Sequence, residues 1–292
     1  MYDLTSPKQT SELLRSHGVR PQKRLGQNFL CDRNILNHIV EAAHLTPETP
    51  VLEIGAGAGA LTIALSQAAL RVAAVEIDYR LESLLREVTG SYENVELVFS
   101  DFMRVSFPEL CAKAFGEEKG TVVANIPYYI TTPIIEKLLA DKHLWRRAVL
   151  LVQHEVAQRL LAKPDTREYG SMSLFVQYHA KVEFICKVPP TVFLPQPEVT
   201  SSVIALEPII PGRIIVRNPE RLNRLVRSAF GQRRKTLLNA LLRAPASFQL
   251  GFGMDDRKEA EALLAKAGID GNRRGETLSL EEFGQIENAY ED

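Results

Sequence analysis

The strongest constraint on how this chain folds is a regular alternation, from Pro50 to Pro208, of short apolar runs with segments of helical spacing. Val51–Ile54, Arg71–Val75, Val95–Phe99, Val122–Ala124 and Ala148–Val152 are rich in Val, Leu, Ile and Ala. Short apolar runs of this kind suit strands covered on both faces, and strands separated by helices suit parallel pairing through crossovers. The fold class expected is therefore α/β, with a Rossmann-like sheet. Helices are expected over Glu155–Leu161 and from Ser171 to about Ala180, separated by a Pro- and Gly-punctuated loop from Lys163 to Gly170. Val182–Val188 and Ser202–Leu206 are two further strand candidates.

Pro208–Gly212 reads as a linker, and beyond it the spacing becomes helical. Leu222, Leu225, Val226, Ala229 and Phe230 keep one buried stripe, with Arg224, Arg227 and Lys235 on other faces. Ser279-Leu-Glu-Glu282 is a capping-box signature for a last helix. A chain of 292 residues accommodates one large domain and a smaller one. The division expected is an N-terminal extension over 1–19, a sheet-bearing domain over 20–208 and a small helical C-terminal domain over 209–292.

No run of 18 apolar residues occurs, and Met1–His17 lacks the apolar stretch of a secretory signal, so a cytoplasmic protein without a membrane span is expected. Cys31, Cys111 and Cys186 lie far apart and suggest neither a metal site nor a disulfide framework. A formal net charge of −1 conceals segregation. From Arg213 to Arg243 nine Lys and Arg residues face one acid, Glu220, a local charge of +8. Acids gather afterwards, at Asp255, Asp256, Glu259, Glu261 and in the Glu281–Asp292 tail. A basic face on a near-neutral protein suits a polyanion that touches one side; a solvated helix face is the plainer reading.

The residues that carry chemistry begin with Glu53-Ile-Gly55-Ala-Gly57-Ala-Gly59, which falls between the first strand and a helix starting near Ala60. Glycines permit a tight turn and close approach to a ligand, and a helix start offers unpaired N–H groups. The loop also satisfies a dinucleotide fingerprint, so a nicotinamide enzyme is one reading and a Gly-rich turn without a ligand another. Glu76 ends the second strand 21 residues after Gly55, where a carboxylate accepts from ribose hydroxyls, unless it simply faces solvent. Asp101 and Phe102 end the third, supplying an acceptor for an adenine amino group and a ring to pack on the base; a helix cap is the alternative for Asp101. Asn125-Ile-Pro127-Tyr128 follows the fourth strand. An Asn oxygen together with a backbone carbonyl accepts both hydrogens of an amine and frees its lone pair. Proline fixes the local backbone, and the Tyr ring stacks a flipped base. This pattern resembles that of the amino-group methyltransferases; a plain Asn-x-Pro turn with core aromatics is the alternative.

These motifs, with Arg24-Leu-Gly-Gln-Asn28-Phe-Leu30, Pro190-x-x-Phe193-x-Pro195-x-Pro197-x-Val199-x-Ser201 and Phe230-Gly-Gln-Arg-Arg-Lys-Thr-Leu237, resemble the bacterial ribosomal RNA dimethyladenosine transferases from about Arg20 to about Phe283. The resemblance implies a class I methyltransferase sheet whose late strand pair closes it, and S-adenosylmethionine as the cofactor. It also implies dimethylation of two adjacent adenines near the 3′ end of small-subunit ribosomal RNA, in an assembling small subunit. On that resemblance Asn28, Leu30 and Gly57 touch the cofactor, Gly55 its amino-acid end, Glu76 its ribose, and Asp101 with Phe102 its adenine. Asn125 serves cofactor and target together, and Phe193 closes the face of the target base opposite Tyr128. Arg233, Arg234, Lys235 and Arg227 are expected to hold phosphates, and Arg20, Lys23 and Arg24 to extend the basic surface near the pocket mouth. His38, His44, His143, His154 and His179 are expected at surface or packing positions. No metal is expected, and the chain is expected to be a monomer. Other readings are a large-subunit methylase, a nicotinamide dehydrogenase and a non-catalytic ribosome-assembly protein. No role follows for the first 19 residues.

Overall fold

A computed structural model gives the architecture and describes residues 2–244 and 257–290. The acids expected at Asp255, Asp256 and Asp292 lie outside the described residues, as does Glu291.

The strands are β1 (Phe29–Leu30), β2 (Pro50–Ile54), β3 (Arg71–Glu76), β4 (Val95–Phe99), β5 (Gly120–Asn125), β6 (Trp145–Gln153), β7 (Ala180–Val188), β8 (Phe193–Leu194) and β9 (Ser201–Pro208). The helices are α1 (Pro7–Ser16), α2 (Arg33–Ala42), α3 (Ala60–Ser66), α4 (Glu82–Thr89), α5 (Phe107–Phe115), α6 (Thr131–Ala140), α7 (His154–Leu161), α8 (Ser171–His179), α9 (Pro219–Gly231), α10 (Leu237–Leu242), α11 (Arg257–Lys266) and α12 (Leu280–Ala289). Seven strands form one sheet in the order β4-β3-β2-β5-β6-β9-β7. Pairing is parallel from β4 to β6, and β9 runs antiparallel to β6. The apolar runs are thus β2 to β6, and β2 is buried along its whole length, as a parallel strand covered on both faces must be.

Strand order reverses between β2 and β5, so the carboxyl ends of β3, β2 and β5 open on one crevice, the usual ligand position in such sheets. Short β1 pairs with β8, Leu30 opposite Phe193, in a separate two-stranded sheet.

The chain divides into two compact units, one of 1–157 with 182–208 and the other of 158–181 with 209–292. The second unit therefore takes residues 158–181, which the sequence reading places in the sheet-bearing domain. The reason is side-chain packing: Tyr169, Leu174 and Tyr178 share a core with Leu222, Leu225, Leu237 and Phe283. Residues 1–19 likewise belong to the first unit, because Leu4, Leu13 and Leu14 are buried in its core. Ser6 caps α1 and Pro7 starts it, an N-terminal pattern the sequence carries.

In the second unit α9 buries Leu222, Leu225, Val226 and Ala229, the expected stripe. The Ser279–Glu282 capping box forms at α12. Arg221, one of the nine cations, is not part of an open basic face. It is buried against Glu287, with Nη2 to Oε1 at 2.8 Å. No helix among the described residues is long and apolar enough to cross a membrane.

Candidate active site

The carboxyl ends of β2, β3, β4 and β5 each deliver an expected residue to a single cleft. Gly55 and Gly57 follow β2, Glu76 ends β3, Asp101 and Phe102 follow β4, and Asn125 ends β5. Asn28, Pro127 and Tyr128 line the same cleft. It holds about 810 Å³ of atom-free space, its open mouth included. Leu30 does not line it; that residue is 5% exposed and borders a smaller cavity beneath the glycine loop, shared with Gly55, Gly57, Ala60 and Asn125. Phe193 is absent from the lining of both, being buried on β8 opposite Leu30.

The glycine loop is shaped by backbone need. Gly55 and Gly57 have φ of 87° and 56°, and an added Cβ at Gly55 would stand 3.2 Å from the Asn125 carbonyl oxygen. Side chains there would enter the cleft's floor, so the loop is a cradle that only glycine leaves open. Its N–H groups are less available than the sequence suggests. Those of Gly55 and Ala56 donate to the Val75 carbonyl, Gly57 to Glu76 and Gly59 to the Ala56 carbonyl. The loop's contribution to a ligand is therefore chiefly room.

Glu76 accepts from the Gly57 N–H at 2.8 Å through Oε2 and from the Asp78 N–H at 2.9 Å through Oε1. Burial pushes its pKa up, and these backbone donors oppose that. Asp101 accepts from the Met103 N–H at 2.9 Å and opens a turn, so it caps no helix. Phe102 is held from behind by Lys137 of α6, whose Nζ donates to the Phe102 and Val105 carbonyls at 2.7 and 2.6 Å and lies 4.9 Å from the ring centroid. Sequence reading misses this lysine, because nothing in the spacing ties α6 to a loop 35 residues away.

Asn125 Nδ2 donates to the Asn28 carbonyl at 3.3 Å, which leaves Oδ1 as the acceptor. The Tyr128 hydroxyl is 2.6 Å from Ser201 Oγ on β9, fixing the ring's direction. Segment 20–28 is tied to the end of β3 through Gln27, whose Nε2 donates to Asp78 Oδ2 at 2.7 Å, and Asp78 is in turn paired with Arg80. None of His38, His44, His143, His154 and His179 lines the cleft.

The expected phosphate-binding residues lie elsewhere. Arg227 is exposed on α9 and Arg233, Arg234 and Lys235 are exposed after it, all in the second unit, while Arg24 is exposed in the first. Arg233 has structural work as well: Nη2 donates to the Tyr169 carbonyl at 2.8 Å and the Arg167 carbonyl at 3.1 Å.

A parallel sheet with a glycine cradle, a carboxylate ending the next strand and an Asn-x-Pro-Tyr segment defines a class I methyltransferase. Comparison with known proteins gives the family: residues 18–291 match the model for ribosomal RNA adenine dimethylase, and the chain belongs to that family. It is accordingly an enzyme that takes methyl groups from S-adenosylmethionine. It is 44% identical over 288 residues to the ribosomal RNA small subunit methyltransferase A of Geobacillus thermodenitrificans (strain NG80-2), covering 98% of this chain and 97% of that one. The protein of the same description from Alkaliphilus oremlandii (strain OhILAs) is 40% identical over 285 residues, covering 98% and 97%. Among solved structures, a dimethyladenosine transferase from Plasmodium falciparum superposes with TM-score 0.74 at 28% identity, covering 88% of this chain and 95% of that one. The 23S ribosomal RNA methyltransferase ErmE superposes with TM-score 0.67 at 29% identity, covering 90% and 99%. Family membership removes the nicotinamide dehydrogenase reading of the glycine loop.

Proposed function

We propose that this chain dimethylates the N6 amino groups of two adjacent adenines near the 3′ end of small-subunit ribosomal RNA, as a cytoplasmic monomer acting on an assembling small subunit. The observation that carries the reading is the Asn125 amide, held by the Asn28 carbonyl beside Tyr128 in a cleft that also contains Glu76 and Asp101. The family and the small-subunit description of its relatives support the substrate.

Bound S-adenosylmethionine supplies a sulfonium methyl that is already activated and leaves a neutral thioether behind. The chain's own part is to hold, orient and desolvate. Glu76 would accept from the ribose hydroxyls, and Asp101 with Phe102 would hold the adenine. Asn125 Oδ1 accepts from the target amine and turns its lone pair toward the methyl. Tyr128 stacks the extruded base. The amine proton becomes acidic only as nitrogen gains positive charge, so it passes to solvent afterwards and no strong general base is required. Phosphate anchoring falls to Arg227, Arg234 and Lys235 of the second unit, with Arg233 and with Arg24 of the first. This reading allots the cofactor to the first unit and most of the RNA anchoring to the second, with Arg24 adding to it from the first.

The deciding experiment follows labelled methyl from S-adenosylmethionine into small subunits lacking adenine dimethylation, with naked ribosomal RNA and large subunits alongside, and analyses the nucleosides. Dimethyladenosine in small-subunit RNA supports the reading. Label confined to large subunits would reassign the substrate, and no label despite cofactor binding would favour an assembly protein.

A further inference from the structure

A third cavity in the first unit has no part in the reaction described above. It holds about 1000 Å³ of atom-free space, its mouth included, against about 810 Å³ for the cofactor cleft. Ser11, Leu14 and Arg15 of α1 form one wall, Gly18 to Pro21 another, and Leu194 with Pro195 a third. Gly18, at φ 66°, follows the end of α1, and the Val19 N–H donates to the Leu14 carbonyl at 2.8 Å, so the chain reverses tightly and leaves Arg15 and Arg20 on the rim. Both arginines are exposed, and neither has an ion-pair partner among the described residues. The Arg20 carbonyl accepts from Arg80 Nη1 at 3.4 Å, which ties this rim to the Asp78 network beside the cleft. Leu14 and Val19 are buried and make the floor apolar.

The wall at Leu194 continues into the candidate active site: Leu194 pairs with Phe29, which lines the cofactor cleft, and Phe193 pairs with Leu30. The family match begins at residue 18, so α1 and Arg15 lie outside it.

We propose that this cavity is a subsite for an unpaired nucleotide of the RNA near the target adenine, with Arg15 and Arg20 on its phosphates and the base against Leu14, Val19, Leu194 and Pro195. The assignment rests on the RNA reading above. An apolar floor with unpaired guanidinium groups at the rim matches a nucleotide's flat base and charged backbone. Lys23 and Arg24, both exposed, continue the positive edge, and no acid occurs between Arg15 and Arg24.

Two variants separate the cavity's contributions, with small subunits lacking adenine dimethylation as the probe. The Arg15→Gln/Arg20→Gln double variant should bind them roughly tenfold more weakly and lower the salt slope of binding by about 1 to 2. Ser11→Trp fills the cavity without changing charge, and should weaken binding while leaving the slope as in the unaltered protein. Thermal melting and S-adenosylmethionine affinity should match the unaltered protein in the double variant, which tests the idea even if Ser11→Trp fails to fold. Unaltered affinity and slope in the double variant, with methyl transfer intact, would overturn the subsite alone. Transfer to large subunits only would overturn the proposed substrate, and the double variant's binding would then be read on that RNA, where an unchanged affinity overturns the subsite too.

Discussion

Glu53 shares β2 with the approach to the glycine loop but does not line the cleft; it is fully buried, and neither carboxylate oxygen has a hydrogen-bond partner among the described residues. Burial pushes its pKa up to about 8, the nearby Thr62 hydroxyl opposes this, and the carboxylate of Glu76 adds to it. The folded pKa lies above the unfolded one, so below about pH 4 both states are protonated and nothing is lost. As pH rises toward 8 the unfolded chain ionises first and stability falls, on the order of 5 kcal/mol in all. Glu53→Gln removes that titration. Its melting temperature relative to the unaltered protein should therefore rise between about pH 5 and pH 8, and parallel pH profiles would show that Glu53 ionises normally. Asn125 has the opposite character, since it is half-buried with one side-chain hydrogen bond of 3.3 Å. Asn125→Ala should leave melting nearly unchanged while lowering methyl transfer by about 100-fold or more. Retained turnover would remove its assigned role.

Among the elements, strand ends are where the sequence is most informative, because parallel pairing places every carboxyl end on one side and a polar residue after an apolar run then stands out. Gly55, Glu76, Asp101 and Asn125 are legible for that reason. Lys137 is not, and Ser201 and Asp78 stand in recognisable motifs without their contacts being legible: each of the three acts through a tertiary contact whose partner lies elsewhere in the chain. Burial of 158–181 with the second unit is hidden too, since a helix expected from Ser171 does not carry in its own sequence which core it joins. Charge counting fails in the same way. It scores Arg221 as open and Arg233 as a simple phosphate contact, whereas Arg221 is sealed against Glu287 and Arg233 braces the loop before α8. The basic segment should accordingly divide. Arg234→Ala/Lys235→Ala should reduce the salt slope of RNA binding by about 1 to 2 without affecting melting. Arg233→Ala should also destabilise the protein by about 1–2 kcal/mol through the lost carbonyl contacts. Equal melting temperatures in the two variants would deny Arg233 that second role.

At the scale of the molecule, every residue lining the candidate active-site cleft and the smaller cavity at its glycine loop belongs to the first unit. The second unit has its own core and its own buried ion pair. Glu287 is buried and accepts from the Arg217 and Asn218 N–H groups at 2.8 and 3.0 Å as well as from Arg221, whose guanidinium lies 4.5 Å from the Tyr290 ring. Removing one charge from such a pair strands the other, at a cost of about 3–5 kcal/mol. Glu287→Gln should therefore lower the second unit's melting transition and weaken RNA binding, while S-adenosylmethionine affinity, measured by calorimetry below that transition, stays at the level of the unaltered protein. Replacing both partners, as Arg221→Met/Glu287→Leu, should recover much of the lost stability, since an apolar pair leaves no buried charge unmatched. A fall in cofactor affinity that tracks the melting shift across both variants would mean that the two units unfold as one, and that the cleft depends on a core to which it contributes no lining residue.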